Sequence, residues 1–110
     1  MIDVKTYDRP AAVMVESEED LIEVLKFFQE KDFRWRMGQD PLDMVAVKEV
    51  LSEFKDGGCI RFVEHLWWMD RHRLSYSSLS YCEGMGIEVF DIEDILPERN
   101  VPMEDLSLVV

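Results

Sequence analysis

A chain of 110 residues with 24 acidic and 12 basic side chains, for a net charge of −12, has room for one domain and is too short for two ordinary ones. Its 47% apolar content, with three Trp, three Tyr and six Phe, is ample for one core and excludes general disorder. The negative charge disfavours direct binding to nucleic acid phosphates or anionic membranes, and no apolar run approaches the roughly 18 residues of a membrane span.

Ala11 to Val15 is a short apolar run that reads as a buried strand. Ser17 then offers a capping hydroxyl with Asp20 three residues on, and Leu21, Val24, Leu25 and Phe28 recur at helical spacing, which predicts a helix over 18–31. Phe33 to Met37 alternates apolar and basic residues as a short half-buried strand does, and Gly38 ends it. Asp40-Pro41 is a second helix start, with Val47, Val50, Leu51 and Phe54 as the apolar stripe and Gly57-Gly58 as the stop. Cys59 to Met69 reads as a strand with Ile60, Phe62, Leu66 and Trp68 facing the core. A turn at 70–72 leads into a strand over Arg73 to Tyr81, and a second turn at Glu83 to Gly86 leads to a strand at Ile87 to Phe90. Ile92 to Leu96 suits one helical turn before Pro97, and residues 97–110 read as a loosely docked acidic tail. The expected architecture is α+β, a single domain over 1–110, with an antiparallel sheet of about four strands and two helices packed on one of its faces.

The residues that carry chemistry form no active site that sequence reveals. Cys59, His65, His72 and Cys82 match no common zinc spacing, and no Cys-x-x-Cys or His-x-x-x-His pair is present. There is no Gly-x-Ser-x-Gly elbow, and Gly84-x-Gly86 is better read as a tight turn than as a phosphate loop. The expectation is therefore a non-enzyme without cofactor or metal. The start, Met1 to Lys5, lacks the basic and apolar stretches of a secretory signal, and two cysteines make no disulfide framework, so the reading is cytoplasmic.

The uneven placement of charge is more informative. Residues 1–30 hold eight acids against three bases, residues 31–82 hold eight of each, and residues 83–110 hold eight acids against Arg99 alone. Glu16, Glu18, Glu19 and Asp20 surround a helix start, where the macrodipole accounts for part of the cluster, and Glu23 follows four residues after Glu19. The macrodipole does not account for Glu88, Asp91, Glu93 and Asp94. If folding brings the two acidic ends together, their carboxylates would look like a phosphate backbone to a groove lined by lysine and arginine. Trp67 and Trp68, next to Met69, Arg71 and Arg73, are of the residue types enriched at binding hot spots.

The succession Glu18 to Phe33 followed by Arg34-Trp35, then Cys59-Ile60-Arg61-Phe62, Leu74-Ser75-Tyr76 and Gly86 to Asp91 running into Ile92-Glu93-Asp94-Ile95-Leu96, resembles small bacteriophage and prophage accessory proteins. It departs from them in having Lys31-Asp32 where a glycine is usual, and in its Trp67-Trp68 pair. Some of those proteins inhibit host defence, anti-CRISPR proteins included, and a number of these are acidic nucleic-acid mimics. The resemblance implies a phage-type inhibitor in the host cytoplasm, and the segregated charge adds the expectation that it binds the basic nucleic-acid-binding surface of a host defence protein, such as a CRISPR effector nuclease. The expected partner-binding residues are Glu16, Glu19, Asp20, Glu23, Trp67, Trp68, Glu88, Asp91, Glu93 and Asp94. The alternatives are a sponge or sensor for an anionic nucleotide signal, held near Trp35, Trp67 and Tyr76 by Arg34, Arg36, Arg61 or Arg73, and a structural or oligomerising accessory subunit.

Overall fold

The computed structural model describes residues 2–53, 57–63 and 72–96. Phe54, the expected strand residues beyond Val63 (His65, Leu66, Trp67 and Trp68 among them), the expected turn residues 70–71 and the expected tail over 97–110 lie outside the described residues.

Strand β1, Ala11–Val15, forms where the apolar run predicts it and is almost wholly buried. Helix α1, Glu18–Glu30, begins as expected: the Asp20 N–H donates to Ser17 Oγ at 3.1 Å, and Leu21, Val24, Leu25 and Phe28 are its buried stripe. Its end is unusual. Phe33 N–H donates to the Phe28 carbonyl at 3.0 Å and Asp32 N–H to the Gln29 carbonyl at 3.1 Å, the paired bonds of a Schellman motif. The Phe28 and Phe33 rings pack 4.8 Å apart beneath it. That motif requires a left-handed residue, and Asp32 fills the role with φ of 64°. Asp32→Gly is therefore expected to raise stability by about 0.5–1 kcal/mol. The urea midpoint would rise with no change in the slope of the transition.

Strand β2 is only Arg34–Trp35, closed by a turn in which Gly38, at φ of 92°, donates to the Trp35 carbonyl at 2.8 Å. Helix α2, Met44–Glu53, starts later than its Asp40-Pro41 signal suggests. Asp43 is the residue that caps it, its Oδ2 accepting from Ala46 N–H at 3.1 Å. Asp40 and Pro41 instead build the preceding turn, where the Pro41 carbonyl accepts from Trp35 Nε1 at 3.0 Å.

Strands β3, Gly58–Val63, and β4, Arg73–Ser77, follow as an antiparallel pair. The expected long strand to Tyr81 is cut short by a third helix, α3, Leu79–Gly84. Ser78 Oγ caps it by accepting from Tyr81 N–H at 3.1 Å. Gly86, at φ of 70°, closes it with bonds from its own N–H to the Glu83 carbonyl and from Ile87 N–H to the Cys82 carbonyl. The glycine-containing turn thus ends a helix and does not join two antiparallel strands. Strand β5, Glu88–Phe90, and a single 3-10 turn, Ile92–Asp94, complete the order.

This small helix changes the topology. A hairpin would have returned the chain antiparallel to its neighbour, whereas a helical crossover lets β5 pair parallel to β1, with Val13 opposite Phe90. Strand β2 likewise pairs parallel to β4. The sheet is therefore mixed and five-stranded, in the order β2-β4-β3-β1-β5, with β3 running against the other four. The α+β class stands; the expected antiparallel sheet of about four strands with two helices is corrected, among the described residues, to five strands, partly parallel, with three helices.

The pleat sorts the core. Ala11, Val13, Val15, Ile60, Phe62 and Leu74 join the apolar stripes of α1 and α2 in the main core on one face. Ala12 and Cys59 point to the other face and pack with Cys82 of α3, flanked by Met14 and Val89. Strand β1 is covered on both faces and flanked on both sides, and for that reason reads as an unbroken apolar run.

Candidate functional site

Parallel pairing of β1 and β5 decides where the acidic segments go. Both strands run toward the same end of the sheet, so Glu16 leaves β1 and Asp91 leaves β5 on neighbouring paths, one strand spacing of about 4.8 Å apart and staggered by two residues. Glu18, Glu19 and Asp20 form the first turn of α1 directly beyond Glu16, and Glu93 and Asp94 form the turn directly beyond Asp91. Ile92 and Ile95 anchor that turn in the main core, which fixes its direction. Glu16, Glu19, Asp91, Glu93 and Asp94 are exposed, and Asp20 is half-buried. Among the described residues, Glu16, Glu18, Glu19 and Asp91 form no ion pair.

Asp94, Glu23 and Glu88 each have a local partner or neighbour. Asp94 Oδ2 accepts from Asp91 N–H at 3.2 Å and so holds its own turn together. Glu23 lies one turn further along α1, in a depression it shares with Lys26, Phe27, Glu30 and Leu96, where a lysine tempers the charge. Glu88 stands at the start of β5, opposite Ala11 and away from the other carboxylates. It accepts a short hydrogen bond from the Tyr7 hydroxyl, and Arg9 approaches it at 3.7 Å. That bond to Glu88 is the main reason the Tyr7 pKa is raised. Trp67 and Trp68 lie outside the described residues. Glu18, which the sequence places at the helix start but not among the expected partner-binding residues, shares a surface depression with Ser17, Glu19, Ile22 and Glu23. Its position next to the cap made the helix dipole a sufficient explanation, and only the register of β5 adds a second one.

No family model matches the chain, and neither a curated protein nor a solved structure is significantly similar to it.

The arginines that an anionic nucleotide would need are scattered. Arg34 is paired with Asp40 at 2.6 Å. Arg61 donates to Ser75 Oγ at 3.0 Å and lies over the Tyr81 ring, on the face opposite Ile60 and Phe62. The cleft that does hold Trp35 and Tyr76 has Arg36 on its wall together with the carboxylates of Glu49 and Glu53. Among the described residues no three histidine, cysteine or carboxylate side chains group as metal ligands, and no helix is long and apolar enough to cross a membrane.

Cys59 of β3 and Cys82 of α3, far apart in sequence, pack together in the smaller core, and both are buried. Burial first, and the neighbouring Cys82 second, push the Cys59 thiol up to about 12, and burial raises Cys82 as well. The folded chain therefore keeps protons that the unfolded chain releases above the ordinary thiol value of 9.0. Their contribution to stability is complete below about pH 9 and is lost as pH rises toward the folded value. Urea midpoints are expected to fall between pH 8 and pH 11, and to fall less steeply in Cys59→Ala.

Proposed function

We propose that this chain is a non-enzymatic inhibitor of phage type that occupies the basic nucleic-acid-binding surface of a host defence protein. The observation that carries the reading is the parallel register of β1 and β5, which sends two acidic segments remote in sequence out of one end of the sheet. Carboxylates from Glu16, Glu18, Glu19, Asp91 and Glu93 would stand in for phosphates against lysines and arginines, releasing the counterions that nucleic acid would otherwise displace. The net charge of −12 adds long-range attraction toward a cationic groove and speeds encounter. CRISPR effector nucleases are the first class of target to test, because their nucleic acid channels are lined with positive charge.

The experiment is a pull-down of purified effector complexes on the immobilised chain across a salt series. A carboxylate-driven interface loses affinity steeply between about 50 and 200 mM salt. Capture that is equally strong at both ends of the series would set this reading aside.

A further inference from the structure

The cleft between α2 and the β2–β4 edge of the sheet has a volume of about 240 Å³. Trp35, whose Nε1 donates to the Pro41 carbonyl, and Tyr76 both line it. Glu49 and Glu53, four residues apart on α2, give the facing wall two carboxylates on one side of the helix. Glu53 is close enough to Tyr76 to rank, after burial, among the causes that raise its hydroxyl pKa. Met37, which also lines the cleft, is 86% exposed.

These features select a ligand by size, shape and charge. Pockets that enclose drug-sized ligands run from about 300 to 1,000 Å³, so this cleft suits one long side chain better than a nucleotide. Two carboxylates against the single charge of Arg36 leave the lining net negative, which repels phosphate and attracts a cation. Aromatic walls receive guanidinium and ammonium groups favourably, and an exposed methionine adapts to the methylene stem that carries them. We propose that the cleft takes one arginine or lysine side chain of the protein partner as an anchor. The identity of the partner rests on the function proposed above; the chemistry of the cleft does not.

The test is a titration of the full ¹⁵N-labelled chain with N-acetyl-arginine-methylamide, and separately with the lysine analogue, followed by NMR. Saturable shifts are expected at the Trp35 indole N–H and at the amides of Ser75 and Tyr76. Affinity should be about tenfold weaker in the double variant Glu49→Gln/Glu53→Gln, the size of a lost charge-assisted hydrogen bond. Adenosine monophosphate should leave these signals in place, and so should neutralisation of Glu16, Glu19, Asp91 and Glu93 as regards binding of the arginine probe. Shifts that are linear and spread over the surface, an unchanged affinity in the double variant, or tighter binding of the nucleotide would each overturn the proposal. Saturable arginine binding by a chain that captures no effector complex would overturn the proposed function alone, whereas salt-sensitive capture without saturable arginine binding would overturn the cleft proposal alone.

Discussion

Phe28→Ala is expected to cost about 3–5 kcal/mol, enough to bring a domain of this size close to unfolding at ambient temperature. Phe28 has no exposed surface, and its ring packs against Phe27 at 5.5 Å, Phe33 at 4.8 Å and Phe62 at 5.4 Å. It thereby joins α1, the turn that ends α1 and β3. Deleting it leaves a cavity at a point that three elements share, and the Schellman turn loses the apolar contact that accompanies its hydrogen bonds. Urea denaturation of Phe28→Ala and Phe28→Leu measures this, and leucine should recover more than half of the loss. A cost below about 1 kcal/mol for alanine would mean that α1 does not pack on the sheet in this way.

The second large effect concerns binding. The variant Glu16→Gln/Glu19→Gln/Asp91→Asn/Glu93→Gln is expected to bind its partner roughly 30- to 1,000-fold more weakly, taking about 0.5–1 kcal/mol for each interfacial ion pair. Asp94 is left intact because its carboxylate holds the Asp91 N–H. The amide replacements keep size and capping ability at Asp91 while removing charge, so stability should change little. Glu88→Gln is the internal control, since Glu88 is taken up by Tyr7 and Arg9 at the far end of β5. Equal losses from the quadruple variant and from Glu88→Gln would point to net charge alone and not to the shared end of the sheet.

The parts of this fold legible in the sequence are those set by short-range physics. The apolar run at Ala11–Val15, the Ser17 cap and the stripe from Leu21 to Phe28 specify β1 and α1 to within a residue. The left-handed position after α1 was harder to see, because Asp32 stands where a glycine would announce it. Helix α3 was missed for a related reason: Leu74, Tyr76, serines and Tyr81 alternate as a strand does, and six residues are too few to show helical periodicity. Its only signals were Ser78 before it and Gly86 after it. That omission carried over into the direction of β5, because a helical crossover and a hairpin return the chain in opposite senses. The surplus of acids at both ends could be counted from the sequence. Their departure from the same end of the sheet could not, since it depends on β1 and β5 being parallel neighbours, a long-range pairing that leaves no local trace.

The central claim is that the acidic end of the sheet and nucleic acid compete for one surface. The most direct measurement loads a captured effector complex with labelled duplex DNA bearing its target sequence and titrates in the chain. Mutual exclusion is predicted, with the DNA displaced in proportion to the chain bound and with the quadruple variant failing to displace it. A stable ternary complex, holding both chain and DNA at full occupancy, would contradict the account.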